Sequence, residues 1–299
     1  MNGDLSLFFS SNDINFLCNA PMKEYTTIRV GGLAEYMIFP DTEYKLIQAL
    51  EFVHGNSTKY KIVGKMSNVL PCDGYYNGVL INTQLLNRYS HQKNTVSCQC
   101  GTLFPTLLAR MSVLNLGGLE SLALIPGSVG GMIASNAGAY GREISDFLIS
   151  VDVYIPTISQ RCVLLKDELD FKYRSSRIKN SDIVVLSAKI RFEEKSTEKI
   201  SDDITKIIER RKKSQPIGKA SLGSVFKRSG EFPSGYLIER CGLKGFSIGD
   251  AEISTKHAGF IVNQGNATAS DVKKLISHVK NAVHSEFGIH LDEEIEYLD

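Results

Sequence analysis

Residues 125–141 read Ile-Pro-Gly-Ser-Val-Gly-Gly-Met-Ile-Ala-Ser-Asn-Ala-Gly-Ala-Tyr-Gly, placing five glycines (Gly127, Gly130, Gly131, Gly138, Gly141) in seventeen residues, with Arg142 on the flank. Glycine admits positive φ where a chain folds tightly and leaves backbone N–H groups unobstructed. Consecutive bare N–H groups form an anion-binding concavity whose usual guest is a phosphate or pyrophosphate. A mobile surface loop is the alternative, but Pro126, Ile133 and Ala134 point to an ordered, partly buried segment. The spacing is neither the GxGxxG dinucleotide fingerprint nor the GxxxxGK[ST] P-loop. As a pattern, it is a cradle for a phosphorylated ligand of open identity.

The rest of the chain sets bounds on that reading. Its 299 residues suit two domains, or a split domain plus a smaller one. Apolar content of 42% and charged content of 22% are ordinary for a globular protein. The net charge of +1 gives no reason to expect nucleic acid as a partner. No apolar run approaches the roughly 20 residues that span a bilayer, so membrane insertion is not expected. The apolar patch near the N-terminus lacks a basic region before it, which argues against a secretory signal and for a cytoplasmic location. Cysteines 18, 72, 98, 100, 162 and 241 show no zinc or redox spacing and are expected as buried free thiols, Cys98 and Cys100 on one face of a strand. The six histidines have no ligand spacing, so no metal is expected.

Periodicity predicts strands at 34–39, 61–63, 79–82, 95–100, 147–155, 162–165 and 183–192. It predicts helices at 42–53, with Leu46, Ile47, Leu50 and Val53 facing inward, and near 104–114, with Phe104, Leu107, Leu108 and Met111 inward. The charged stretch 193–213 reads as a solvated helix joining two domains, with Ile200, Ile204, Ile207 and Ile208 on one side. Beyond it come a glycine-rich turn at 218–223, a strand at 259–262, a helix at 270–287 capped near Ala269-Ser270-Asp271, and a strand from Ile289. The picture is an α+β protein of two lobes with ligand between them.

Three stretches carry reactive side chains. Gly223-Ser224-Val225-Phe226-Lys227, preceded by Lys212, Lys213 and Lys219, is either a simple turn or a hydroxyl beside an anion site. No nucleophile elbow accompanies it, which leaves a hydrolytic triad without support. Phe171-Lys172-Tyr173-Arg174-Ser175-Ser176-Arg177 is either a solvated loop or an anion clamp, with Arg174 a planar donor suited to a carboxylate. At the C-terminus, alternation of Ile289, Leu291, Ile295 and Tyr297 places Asp292, Glu294 and Glu296 on one strand face. Crowded carboxylates raise the pKa of the least solvated one, and a charged edge that discourages sheet pairing explains the pattern equally well.

Taken in order, Tyr25-Thr26-Thr27-Ile28-Arg29-Val30-Gly31-Gly32, the 125–141 loop, Tyr173-Arg174, GSVFK at 223–227, CGLKG at 241–245, KHAGFIVN at 256–263 and the terminal LDEEIEYL resemble the UDP-N-acetylenolpyruvoylglucosamine reductase family. The resemblance runs from about residue 20 to the end. The short passage from Gly245 to His257 is similar to the family's second type, which lacks an extra tyrosine-bearing loop.

This resemblance implies a two-subdomain FAD-binding region of the vanillyl-alcohol oxidase-like type plus a C-terminal α+β substrate-binding domain. The segments are 1–20 (an N-terminal extension), 21–90 and 91–200 (the two FAD-binding subdomains) and 201–299 (the substrate domain). It implies FAD held by Thr27, Arg29, Gly31, Gly64, Ser67, Asn68, Gly127, Ser128, Gly130, Gly131, Asn136 and Gly138. NADPH would be the hydride donor, and UDP-N-acetylglucosamine enolpyruvate would be reduced to UDP-N-acetylmuramate for peptidoglycan. Arg174, Ser224 and Glu294 would be catalytic, with Tyr173, Lys213 and Lys227 binding substrate. The chain departs from the family at Gly64-Lys65-Met66-Ser67-Asn68, where GGGSN is frequent, at Arg228 after GSVFK, and at Glu293, where proline is common. Losing two glycines restricts φ in the first phosphate turn, and Lys65 could compensate by charge. A flavin oxidase would share the cradle without the Arg174, Ser224 and Glu294 set. A catalytically idle nucleotide sensor would tolerate the altered turn.

Overall fold

β-Branched runs pair as strands and amphipathic runs cover them as helices. The computed structural model describes residues 3–299, so the first two residues of the expected N-terminal extension lie outside the described residues. A helix at Gly3–Ser11 opens the described chain, where the sequence analysis predicted no element. A four-stranded sheet then takes the order Asn15–Pro21, Leu33–Phe39, Tyr75–Asn82, Tyr60–Val63. Its last two strands are parallel, with Val63 opposite Asn82.

The chain divides into two compact units, each assembled from discontinuous segments. The first comprises, among the described residues, 3–18, 36–65 and 77–208. It contains a five-stranded sheet in the order Gln160–Leu165, Leu148–Ile155, Val184–Arg191, Thr95–Gln99, Tyr89–Gln92. Every pairing in that sheet is antiparallel. The helix Phe104–Ser112 buries the four predicted residues Phe104, Leu107, Leu108 and Met111. The helix Glu43–Gly55 buries Leu46, Leu50 and Val53, with Thr42 accepting a hydrogen bond from the Lys45 N–H as its N-cap. Ile47, expected inward as well, is half-buried at the rim of the core.

The second unit comprises residues 19–35, 66–76 and 209–299. Its antiparallel sheet runs Ala220–Ser224, Phe260–Asn263, Ala251–Ile253, Ser247–Ile248. The helix Ala269–Phe287 buries Val272, Leu275, Ile276, Val279 and Val283, a spacing of three and four residues. A short parallel pair joins Val69–Pro71 to Glu296–Leu298. The charged helix Thr197–Ser214 carries the chain from the first unit into the second, the boundary falling after Ile208.

Several expectations change. Residues 220–223, read as a turn, belong to a strand, because Leu222 is drawn into the core. The strand that periodicity began at Val79 begins at Tyr75. The cap of the 269–287 helix is Thr268, not the following triplet: its hydroxyl accepts from the Asp271 N–H while Asp271 accepts from the Thr268 N–H. The last strand covers only Glu296–Leu298. Leu291, Ile295 and Leu298 are the buried residues there and Tyr297 is exposed, so the single carboxylate face built on strict alternation does not form. Cys98 and Cys100 are buried as expected, whereas Cys18 is exposed and Cys72, Cys162 and Cys241 are only half-buried. All six thiols are free.

Candidate active site

In the first unit the glycine-rich stretch is ordered, and it contains a one-turn helix, Val129–Ala134, rather than an open loop. Several of its N–H groups are therefore already committed. Gly127 donates to Ile125 C=O, Val129 to Thr102 C=O (2.9 Å) and Gly130 to Cys100 C=O (2.8 Å). The cradle expected to be a row of bare N–H groups is thus a narrower feature centred on Ser128.

What converges on Ser128 is backbone from three other segments. Gly64 ends the strand Tyr60–Val63, and a Cβ placed on it would fall 2.2 Å from Ser128 Oγ. Leu103 pairs with Ser128 in an isolated antiparallel bridge. A Cβ on Gly101 would fall 1.7 Å from the Thr83 carbonyl oxygen. This meeting point lies at the carboxyl ends of two parallel strands, Tyr60–Val63 and Tyr75–Asn82, where open α/β sheets place their ligands. Two polar atoms here have no hydrogen-bond partner among the described residues: Asn82 Nδ2 and Thr102 Oγ1. Their residues are only 0% and 4% exposed. Buried polar groups are otherwise satisfied. A glycine-walled cradle with unpartnered donors fits a dinucleotide's phosphate oxygens. Lys65 follows Gly64 and is half-buried. Burial pushes the neighbouring Cys98 and Cys100 thiols up to about 12, so neither is a thiolate.

Asn136 sits at φ +43 and is 1% exposed. Its amide donates to Glu143 Oε2 (2.7 Å) and Lys172 C=O (3.2 Å) and accepts from the Ser145 N–H (3.3 Å). Side-chain capacity is thereby spent inside the protein, and a cofactor could meet only its backbone. The Lys172 bond anchors a tight turn in which Lys172 and Ser175 exchange both backbone hydrogen bonds at 3.0 Å. Tyr173 and Arg174 occupy the tip, Arg174 at φ +55. Arg174 Nη2 donates to Gly138 C=O at 3.1 Å, and its guanidinium lies 5.0 Å from the Tyr173 ring centroid. Gly138 itself pairs with Glu143. So the 125–141 stretch and the Tyr173-Arg174 turn form one bonded assembly. The sequence displayed both parts and gave no sign of the link.

In the second unit, Ser224 and Glu294 come together through backbone. The Glu294 N–H donates to Val225 C=O (2.8 Å), the Lys227 N–H donates to Asp292 C=O (2.9 Å), and Phe226 bridges Glu293. Gly223 at φ +75 takes up a register shift between Ser221 and Ser224. Such bulges re-aim the residue that follows. Glu293, the alternative acid, is committed: Lys280 Nζ lies 2.9 Å from its Oε1 and the Tyr297 hydroxyl donates to its other oxygen. Burial pushes its carboxyl up, but the Tyr297 and Lys280 contacts outweigh this and hold it below the usual carboxylate range.

Thr27 Oγ1 donates to Ser221 C=O (2.7 Å) and approaches Ser67 C=O (3.5 Å). Asn68 Nδ2 donates to Glu294 C=O (2.9 Å), and the Glu296 N–H returns a bond to Asn68 C=O. Gly31 stands against Pro71, and Arg29, at φ +58, is exposed. Met66 adopts φ +50 in place of the family's glycine, so the altered turn keeps a left-handed residue. Lys227 is half-buried and Lys213 exposed. Gly131 has space around it, the nearest atom to a Cβ there being Ser128 Oγ at 3.4 Å.

With this geometry in view, residues 34–157 match the model of an FAD binding domain, and residues 215–298 match that of the UDP-N-acetylenolpyruvoylglucosamine reductase C-terminal domain. A reductase of that name from Caldicellulosiruptor bescii is 37% identical over 99% of this chain and 94% of its own. The chain belongs to the UDP-N-acetylenolpyruvoylglucosamine reductase family. The Clostridioides difficile reductase is also 37% identical, over 93% of this chain and 91% of its own. The solved reductase of Thermus caldophilus superposes with a TM-score of 0.80 at 30% identity, covering 95% of this chain and 98% of that one. The family's α+β fold, with an FAD-binding region and a C-terminal α+β domain, is that of this chain, and FAD is its cofactor.

Proposed function

We propose that this protein reduces UDP-N-acetylglucosamine enolpyruvate to UDP-N-acetylmuramate, with NADPH as donor, in peptidoglycan precursor synthesis. The relatives' shared name and the FAD-domain match support the reaction. The structural observation that carries the residue roles is the bonded pairing of Glu294 with the GSVFK strand. Because the substrate is a diffusible UDP-sugar, the reaction is placed in the cytoplasm. Residues 21–90, 91–200 and 201–299 are read as two cofactor subdomains and a substrate domain.

Bound FAD supplies the hydride relay between donor and enol ether. The protein supplies position and field. Hydride addition at the terminal carbon leaves negative charge on the neighbouring carbon, conjugated with the carboxylate. Arg174 pairs with that carboxylate through its planar fork, and its left-handed turn conformation fixes the guanidinium's origin. Ser224, half-buried, holds the proton that quenches the carbanion. Glu294, when protonated, donates a further hydrogen bond, a reading supported over Glu293 by the ion pair that Glu293 makes with Lys280. Tyr173, Lys213 and Lys227 bind the anionic groups of the substrate. Thr27, Arg29, Gly31, Gly64, Ser67, Asn68, Gly127, Ser128, Gly130, Gly131, Asn136 and Gly138 hold FAD, Asn136 through its backbone.

Stopped-flow separation of the half-reactions tests these roles. Ser224→Ala should leave NADPH-driven flavin reduction nearly intact and slow reoxidation by the enolpyruvyl substrate by about 10²–10⁴-fold. Arg174→Lys should impair the same half-reaction. Slowed reduction with normal reoxidation in Ser224→Ala would remove the serine from the proton-donor role.

A further inference from the structure

We propose that Asn82 and Thr102, outside every motif that carries the family resemblance, are cofactor-positioning residues that donate hydrogen bonds to oxygen acceptors of bound FAD. The inference rests on the FAD assignment and deepens it. Asn82 is fully buried, and its orientation is fixed: Oδ1 accepts from the Gln84 backbone N–H (3.0 Å) and from Gln84 Nε2 (3.3 Å). Since only an oxygen can accept from that N–H, the unpartnered atom is the NH2 group. Thr102 spends its backbone on structure, donating to Gln99 C=O (3.1 Å) and accepting from the Val129 N–H (2.9 Å), while its hydroxyl has no partner.

The two orphans belong to adjoining segments. Thr83, next to Asn82, donates from Oγ1 to Val63 C=O (3.3 Å), and its own carbonyl abuts Gly101, next to Thr102. Both segments therefore border Gly64 and Ser128, where two turns leave room for no side chain. Two donors left buried and unpaired beside a cradle are what a fold retains when a ligand completes them.

The test is FAD binding to apoprotein, followed by flavin fluorescence, together with thermal melting of the apo form. Thr102→Val removes the hydroxyl at constant shape. The apoprotein should melt no lower than the parent, while the Kd for FAD should rise roughly tenfold. Thr102→Ser, which restores the hydroxyl, should recover most of that loss. Asn82→Asp keeps the acceptor for Gln84 and turns the donor into an acceptor, so it should weaken FAD binding further. A Thr102→Val protein that binds FAD as the parent does, with the same Kd, would overturn the proposal and leave the cofactor assignment standing. A parent apoprotein that takes up no FAD would overturn the cofactor assignment itself.

Discussion

Lys65 and Met66 occupy positions where the family commonly has glycine, and they resolve the substitution in different ways. Met66 keeps the left-handed backbone at φ +50 with its side chain buried, so core packing stabilises a conformation a non-glycine residue rarely adopts. Lys65 adds a cation beside Gly64, at the mouth of the glycine-walled cradle. Lys65→Ala should therefore weaken FAD binding about fivefold at low salt, of order 1 kcal/mol, and the difference should shrink as ionic strength rises. Titrating FAD into both proteins at two salt concentrations checks this. Equal affinities at low salt would show that the ammonium points to solvent. The position of the charge was visible in the sequence; the persistence of positive φ at Met66 was not, because it depends on burial.

Among the elements, the helix Ala269–Phe287 shows how distant residues complete a local motif. Its first N–H groups are all paired. Thr268 and Asp271 cap one another, and Asp73 accepts from the Ala269 N–H (2.6 Å) and the Ser270 N–H (2.8 Å). Thr268→Ala should cost about 1 kcal/mol. Asp73→Ala should cost more, roughly 2 kcal/mol, because it orphans two N–H groups facing a carboxylate. Urea denaturation of the apo forms measures both. The Thr268 N–H and hydroxyl also hold the Asp271 carboxyl below its ordinary value of 3.8. A depressed folded pKa contributes stability that is full above the unfolded value and is lost as pH falls through the folded one. The difference between parent and Thr268→Ala should accordingly narrow on acidification below about pH 4. The apolar spacing of this helix was legible; Asp73, 196 residues before Ala269, was not.

For the whole molecule, cofactor and fold are thermodynamically linked. FAD bound only by the native state adds about 2.7 kcal/mol at 100 times its Kd, so removing it should lower Tm, and adding it back should restore Tm in a concentration-dependent manner. The linkage should be non-covalent. No histidine stands in or beside the glycine stretch, and the nearby Cys100 thiol is buried with its pKa pushed up to about 12. Acid denaturation should free all the flavin from the polypeptide; colour retained on the chain would contradict this.

Local periodicity and motif order, by themselves, determined the α+β class, most strands and helices, the apolar face of 104–112, and the residues that carry the family resemblance. These depend on side-chain spacing along a single segment, which sequence displays directly. Only the tertiary structure decided that several backbone N–H groups of the glycine stretch are already spent, that Asn136 ties the Arg174 turn to Glu143, and that Glu293 is paired with Lys280. It alone left Asn82 and Thr102 buried without partners. Hydrogen-bond satisfaction is a property of neighbours brought together by folding, and residues far apart in the chain carry no local mark of who those neighbours are.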